Sequence, residues 1–68
     1  MISYAPLFKT MKEKSITTYA LIHQYGINSR TIHNIKYGKG ISTYTLEKIC
    51  EALDCTPNDV IEFIKEAE

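Results

Sequence analysis

The chain has 68 residues, eight Lys/Arg against eight Asp/Glu, and 44% hydrophobic residues. That length holds one small domain, read as residues 1–68, near the lower limit at which a single core stabilises itself, so a deep enclosed substrate pocket is excluded. No apolar run of about 18 residues exists to span a membrane. The N-terminal MISYAPLFKTMKEK lacks the charged head and unbroken apolar stretch of a signal peptide, so the expected compartment is the cytoplasm.

In chain order, five short helices are expected. Ser3 is the expected cap of the first; Pro6 falls in its first turn, where a missing N–H costs nothing, and Leu7, Phe8 and Met11 form its apolar stripe up to about Lys14. Thr17 caps the second, with Leu21, Ile22 and Tyr25 on one face and Gly26 closing it. Asn28 caps the third, which turns Ile32 and Ile35 inward and ends at Gly38. Ser42 caps the fourth, carrying Leu46, Ile49, Cys50 and Leu53 at helical spacing. Thr56 caps the fifth, with Pro57 at its first position, Asp59 near its positive end and Val60, Ile61 and Ile64 inward. No segment alternates apolar and polar residues long enough to predict a strand, and there is no repeat, low-complexity tract or linker. The expected fold class is all-α, a compact five-helix bundle.

Neutrality conceals a division. Residues 1–45 carry six basic groups and one acid, net +5, whereas residues 46–68 carry two basic groups and seven acids, net −5. Within the basic part, GINSRTIHNIKYGKG holds Arg30, Lys36 and Lys39 and no acid. Such an asymmetry points to a side that faces a polyanion, although two ordinary solvated surfaces give the same count.

Gly26, Ile27 and Asn28 form too short a connection for a long antiparallel hairpin. They set helices two and three at a steep angle with Ile27 plugging the gap, a helix-turn-helix arrangement. With Ile32 and Ile35 inward, Ser29, Arg30, His33, Asn34 and Tyr37 are left on the outer face of helix three. A helix fits the major groove of duplex DNA, where Arg bonds O6 and N7 of guanine together and Asn bonds N6 and N7 of adenine. Lys39 in the next loop suits phosphate as a point charge, and the free N–H groups at Thr17–Thr18 and Ser42–Thr43 suit phosphate too.

TTYALIHQYGINSRTIHNIKYGKG followed by STYTLEKICEALDCTPNDVIE resembles the small DNA-binding domains of the phage-repressor/Cro type, in particular the compact single-domain transcriptional regulators of bacteria, phages and plasmids. The resemblance runs from about Tyr4 to Ile64. It implies base reading by Ser29 and Arg30 and again at Asn34, with His33 beside them, and phosphate contacts from Thr17, Thr18, Tyr37 and Lys39. The chain departs from the family pattern at three places. Ile22 stands where alanine is usual and bears on how closely helices two and three cross. Thr18 replaces a common glutamine with a shorter arm. Lys36 replaces a common glutamate and makes this face more basic.

The expected function is therefore sequence-specific binding of double-stranded DNA by a transcriptional regulator, with repression as the expected mode and a homodimer on a palindromic operator as the working form. The other reading is a protein-interaction module, such as an antirepressor or an antitoxin-like partner, which the acidic half favours. No catalytic cluster is positioned, so no enzyme is expected, nor any cofactor or small-molecule substrate. Cys50 and Cys55 are expected as reduced core thiols. A zinc site with His23 and His33 would lack any tight ligand pair.

Overall fold

Three of the expected caps form as read. In the computed structural model, which describes residues 1–66, the order is β1 (Ile2–Ser3), α1 (Ala5–Glu13), α2 (Thr18–His23), α3 (Ser29–Lys36), α4 (Thr43–Leu53), a 3-10 turn (Pro57–Asp59) and β2 (Glu62–Phe63). The side chains of Thr17, Asn28 and Ser42 accept backbone N–H bonds at the heads of α2, α3 and α4, satisfying donors that a helix start leaves free.

The first helix starts one residue later than expected. Tyr4 occupies the cap position of α1 without a side-chain cap bond, while Ser3 belongs to β1 and its hydroxyl accepts from the Ala5 N–H at 3.1 Å. Leu7, Thr10 and Met11 are the buried positions of α1, three and four residues apart, so one side of the helix meets the core. Phe8 falls off that stripe and is exposed.

The expected fifth helix is a single 3-10 turn. Its start signals are real: the Thr56 N–H donates to the Asp59 carboxylate at 3.2 Å, and Pro57 stands at the first position. The chain then straightens, because Glu62–Phe63 pairs antiparallel with Ile2–Ser3, in the register Ile2 opposite Phe63 and Ser3 opposite Glu62. The Ile64 N–H extends the ribbon by donating to the Met1 carbonyl at 2.7 Å. The stripe of Val60, Ile61 and Ile64 is thereby split: Val60 is fully buried, Ile61 half-buried and Ile64 exposed.

Two bonds fasten this C-terminal segment to α1. The Thr10 hydroxyl donates to the Asp59 carbonyl at 2.7 Å, and the Leu7 N–H donates to the Val60 carbonyl at 3.2 Å. Around them the core gathers Leu7 and Met11 of α1, Leu21 of α2, Ile32 and Ile35 of α3, Ile49 and Leu53 of α4, with Tyr4, Ile27 and Val60 from the connections. Each such aliphatic side chain contributes about 1.5–3 kcal/mol on burial. No helix among the described residues is long and apolar enough to cross a membrane.

Candidate nucleic-acid interface

The joint between α2 and α3 is fixed from both sides. Gly26 adopts a left-handed φ of +71°, which lets the chain leave α2 sharply. Ile27 is buried, and its N–H donates to the Leu21 carbonyl at 2.9 Å, so the plug is tied to the helix it follows. The Asn28 side chain then accepts from the Arg30 N–H at 2.7 Å and opens α3. From α4, the Lys48 ammonium donates to the Gly26 carbonyl at 3.1 Å and holds the turn against the body of the molecule.

At 100° per residue, the inward pair Ile32 and Ile35 places Arg30, His33, Asn34 and Tyr37 on the opposite side of α3. Arg30, His33 and Tyr37 are exposed there; Asn34 lies at the margin and is half-buried, and Ser29 is exposed at the other margin. The His33 and Tyr37 rings pack at 4.5 Å between centroids, tilted by 43°, which props up a tyrosine that is 71% exposed. α3 has no acid in its first turn and His33 and Lys36 in its last, where cations suit the negative helix end.

The loop after α3 is built to a defined shape. Gly38 is left-handed at φ +72°, its N–H donates to the Ile35 carbonyl at 3.1 Å, and the Lys39 N–H donates to the Asn34 carbonyl at 2.8 Å. These are the paired bonds of a Schellman motif. The buried Tyr4 then donates its hydroxyl to the Lys39 carbonyl at 2.6 Å. Burial pushes the Tyr4 phenol above its usual range, so it stays a donor. Lys39 therefore sits on a backbone anchored to the core while its side chain remains exposed.

The remaining expected phosphate residues divide. Thr17 is exposed, and its Oγ1 accepts from the Ala20 N–H at 3.1 Å, leaving its O–H to donate outward. Thr18 is half-buried, and no hydrogen bond among the described residues ties either threonine to α3. Lys39, Ser42 and Thr43 border one groove. Ser42 spends its hydroxyl inside its own cap, accepting from the Thr45 N–H and donating to Thr45 Oγ1, both at 3.1 Å. Outward donors there belong to exposed Thr43 and to Tyr44, which is 82% exposed.

Sequence reasoning missed Tyr44 and Tyr19, each at the second helical position after a cap and each largely exposed. Tyr19 packs on His23 at 4.2 Å between ring centroids, a second exposed Tyr–His pair. The available signal was the count of five tyrosines in so short a chain, of which only Tyr4 is buried. It missed Tyr4 as the loop anchor as well. Among the described residues no three His, Cys, Asp or Glu side chains gather where they could hold a metal ion.

Two capped helices joined through Gly26 and a buried Ile27, with the second presenting an acid-free side, define a helix-turn-helix. The chain belongs to the Cro/C1-type HTH DNA-binding domain family, whose family model matches residues 7–66. It is 33% identical over 55 residues to YozG of Bacillus subtilis (strain 168), described as an uncharacterized HTH-type transcriptional regulator; the match covers 78% of this chain and 66% of that protein, just under two thirds of its length. The crystal structure of the transcriptional regulator VanUg, form II, superposes with a TM-score of 0.86 at 28% identity, over 96% of this chain and 87% of that one. The family match starts at residue 7, so β1 and the Tyr4 anchor lie outside it.

Proposed function

We propose that the chain is a sequence-specific transcriptional repressor that inserts α3 into the major groove of double-stranded DNA and works as a homodimer on a palindromic operator. Residues 1–68 act as one cytoplasmic domain. The observation that carries this reading is the outer side of α3, which offers hydrogen-bonding and cationic side chains and no carboxylate.

Arg30 stands in the first turn of α3, on a backbone fixed by the Asn28 cap, and its planar guanidinium matches two acceptors of one guanine. Asn34 follows one turn later and suits adenine; Ser29 and His33 reach base edges on the other side of Arg30 from Asn34. Tyr37 and Lys39 contact phosphate at the far end of α3, Thr17 and Thr18 at the head of α2, and Ser42 and Thr43 at the head of α4, where backbone N–H groups replace the occupied Ser42 hydroxyl. One helix covers only a few base pairs, so two copies set about 34 Å apart are needed for a selective site.

Selection of bound duplexes from a random pool tests this. An enriched inverted repeat with half-sites about one helical turn apart is expected. A pool that returns without enrichment defeats the proposal.

A further inference from the structure

The end of the molecule built by the β ribbon carries an apolar surface that adjoins the loop after α3. Met1, Ile2, Phe8, Phe63 and Ile64 are between 39% and 71% exposed. The register sets Ile2 directly across from Phe63, on one face of the ribbon, with Met1 and Ile64 paired at its open end. Phe8 borders a groove with Met1 and Ile2. Strand alternation puts these two pairs on opposite faces of the ribbon; taking about 200 Å² for a side chain of this size, the five residues leave roughly 500 Å² of apolar surface spread around this end.

We propose that this end of the molecule, formed by β1, β2 and Phe8, is the surface on which a second copy of the chain docks. The inference rests on the homodimeric reading above and adds where the copies meet. Clasped around the ribbon end so that both faces are covered, a second copy would bury in this apolar area the larger part of the roughly 800 Å² per partner that a stable interface buries, with a polar rim to supply the rest. A twofold interface must be self-complementary. Here Met1 and Ile2 stand between two grooves of about 580 and 530 Å³, so each copy offers both a ridge and a recess. The rim carries both signs, Lys36 beside one groove and exposed Glu62 on β2, and a mixed rim does not repel its own copy. The acid-free side of α3 would.

Position argues the same way. Gly38, just past α3, borders both grooves, so the apolar end adjoins the C-terminal end of that helix. Half-sites about 34 Å apart require each α3 to lie roughly 17 Å from the twofold axis. A twofold axis near the ribbon would therefore stand beside the C-terminal ends of the two copies of α3.

The test is sedimentation of the full chain, alone and as Ile2→Glu and Phe63→Glu, over about 1–100 µM, the range in which interfaces of modest area dissociate. Circular dichroism checks that each variant stays folded. The parent is expected to dimerise, and each variant to weaken the dimer about tenfold or more with its helical spectrum unchanged. A parent that is monomeric throughout, or folded variants that dimerise as the parent does, overturns the proposal. Anisotropy on a random-sequence duplex at low salt is read beside it and decides the DNA reading alone. A dimer lost in both folded variants supports this docking surface whichever way that second measurement falls.

Discussion

α3 seats Ile32 and Ile35 in the core and leaves Ser29, Arg30, His33 and Tyr37 to solvent; α4 seats Ile49 and Leu53 there and leaves Glu47, Lys48 and Glu51. Both helices are opened by a side-chain cap, and both bury pairs at helical spacing. The fold therefore asks the same of each. It does not ask for the difference between their outer sides, one free of acids and the other carrying two. That difference is what the proposed DNA-binding role rests on: α4 turns its acids to water and reaches back through Lys48 to steady the turn, while the outward groups of α3 include no carboxylate.

The inward halves are expected to be equivalent and costly to lose. Ile49→Ala and Ile32→Ala should each destabilise by about 2–5 kcal/mol. A domain of this size holds about 3–5 kcal/mol in all, so urea titration followed by circular dichroism should show each variant largely unfolded at 25 °C. An undisturbed Ile32→Ala would break the comparison at its base.

The outward halves are expected to differ. Arg30→Ala should cost about 1–3 kcal/mol on the selected operator and little on scrambled duplex, whereas Lys39→Ala should weaken both alike and lower the salt slope by about one unit. Glu51→Gln on the outer side of α4 should change neither. Equal losses on both duplexes for Arg30→Ala would make it a phosphate contact instead of a base reader.

The joint between the helices carries a smaller effect. A Cβ at Gly26 meets no atom within 4 Å, so Gly26→Ala should destabilise only through its φ of +71°, by about 1–2 kcal/mol. A much larger loss in the urea midpoint would mean that the turn packs more tightly than its open surroundings show.

The smallest effect concerns the end of α4. Cys50 and Cys55 are free and lie against each other, and burial first, then neighbouring negative charge, pushes the Cys55 thiol from 9.0 to about 11. The folded state thus holds a proton that the unfolded state releases earlier. Stability from this group is full below pH 9 and declines as pH rises towards 11. Urea midpoints at pH 8, 9 and 10 should fall more for the parent than for Cys55→Ala; parallel declines would refute the shift.

Much of this was legible because it is local. Caps at Thr17, Asn28 and Ser42, the left-handed glycines and the Ile27 plug depend on residues within one turn of each other, and all form. What was not legible depends on partners far along the chain. Ile2–Ser3 is too short to show alternation, and its pairing with Glu62–Phe63 joins the two ends of the chain. That pairing explains the misread fifth helix: the Thr56 signals open a turn correctly, but β-branched Val60 and Ile61 lead into extended chain that the ribbon captures. Likewise Tyr4 reads as an ordinary first-turn residue until its hydroxyl is found on the Lys39 carbonyl, 35 residues away. At the candidate site, the identity of the outward residues was readable from the 3.6-residue period, but not the half-burial of Asn34 or the closed hydroxyl circuit of Ser42.

The claim that the acid-free side of α3 meets a polyanion is tested most directly by the salt dependence of duplex binding. If a dimer neutralises roughly four to eight phosphates, affinity for the selected operator should drop by about two to four decades between 50 and 200 mM salt. An affinity that stays flat across that range would contradict the account and return the outer side of α3 to ordinary solvated surface.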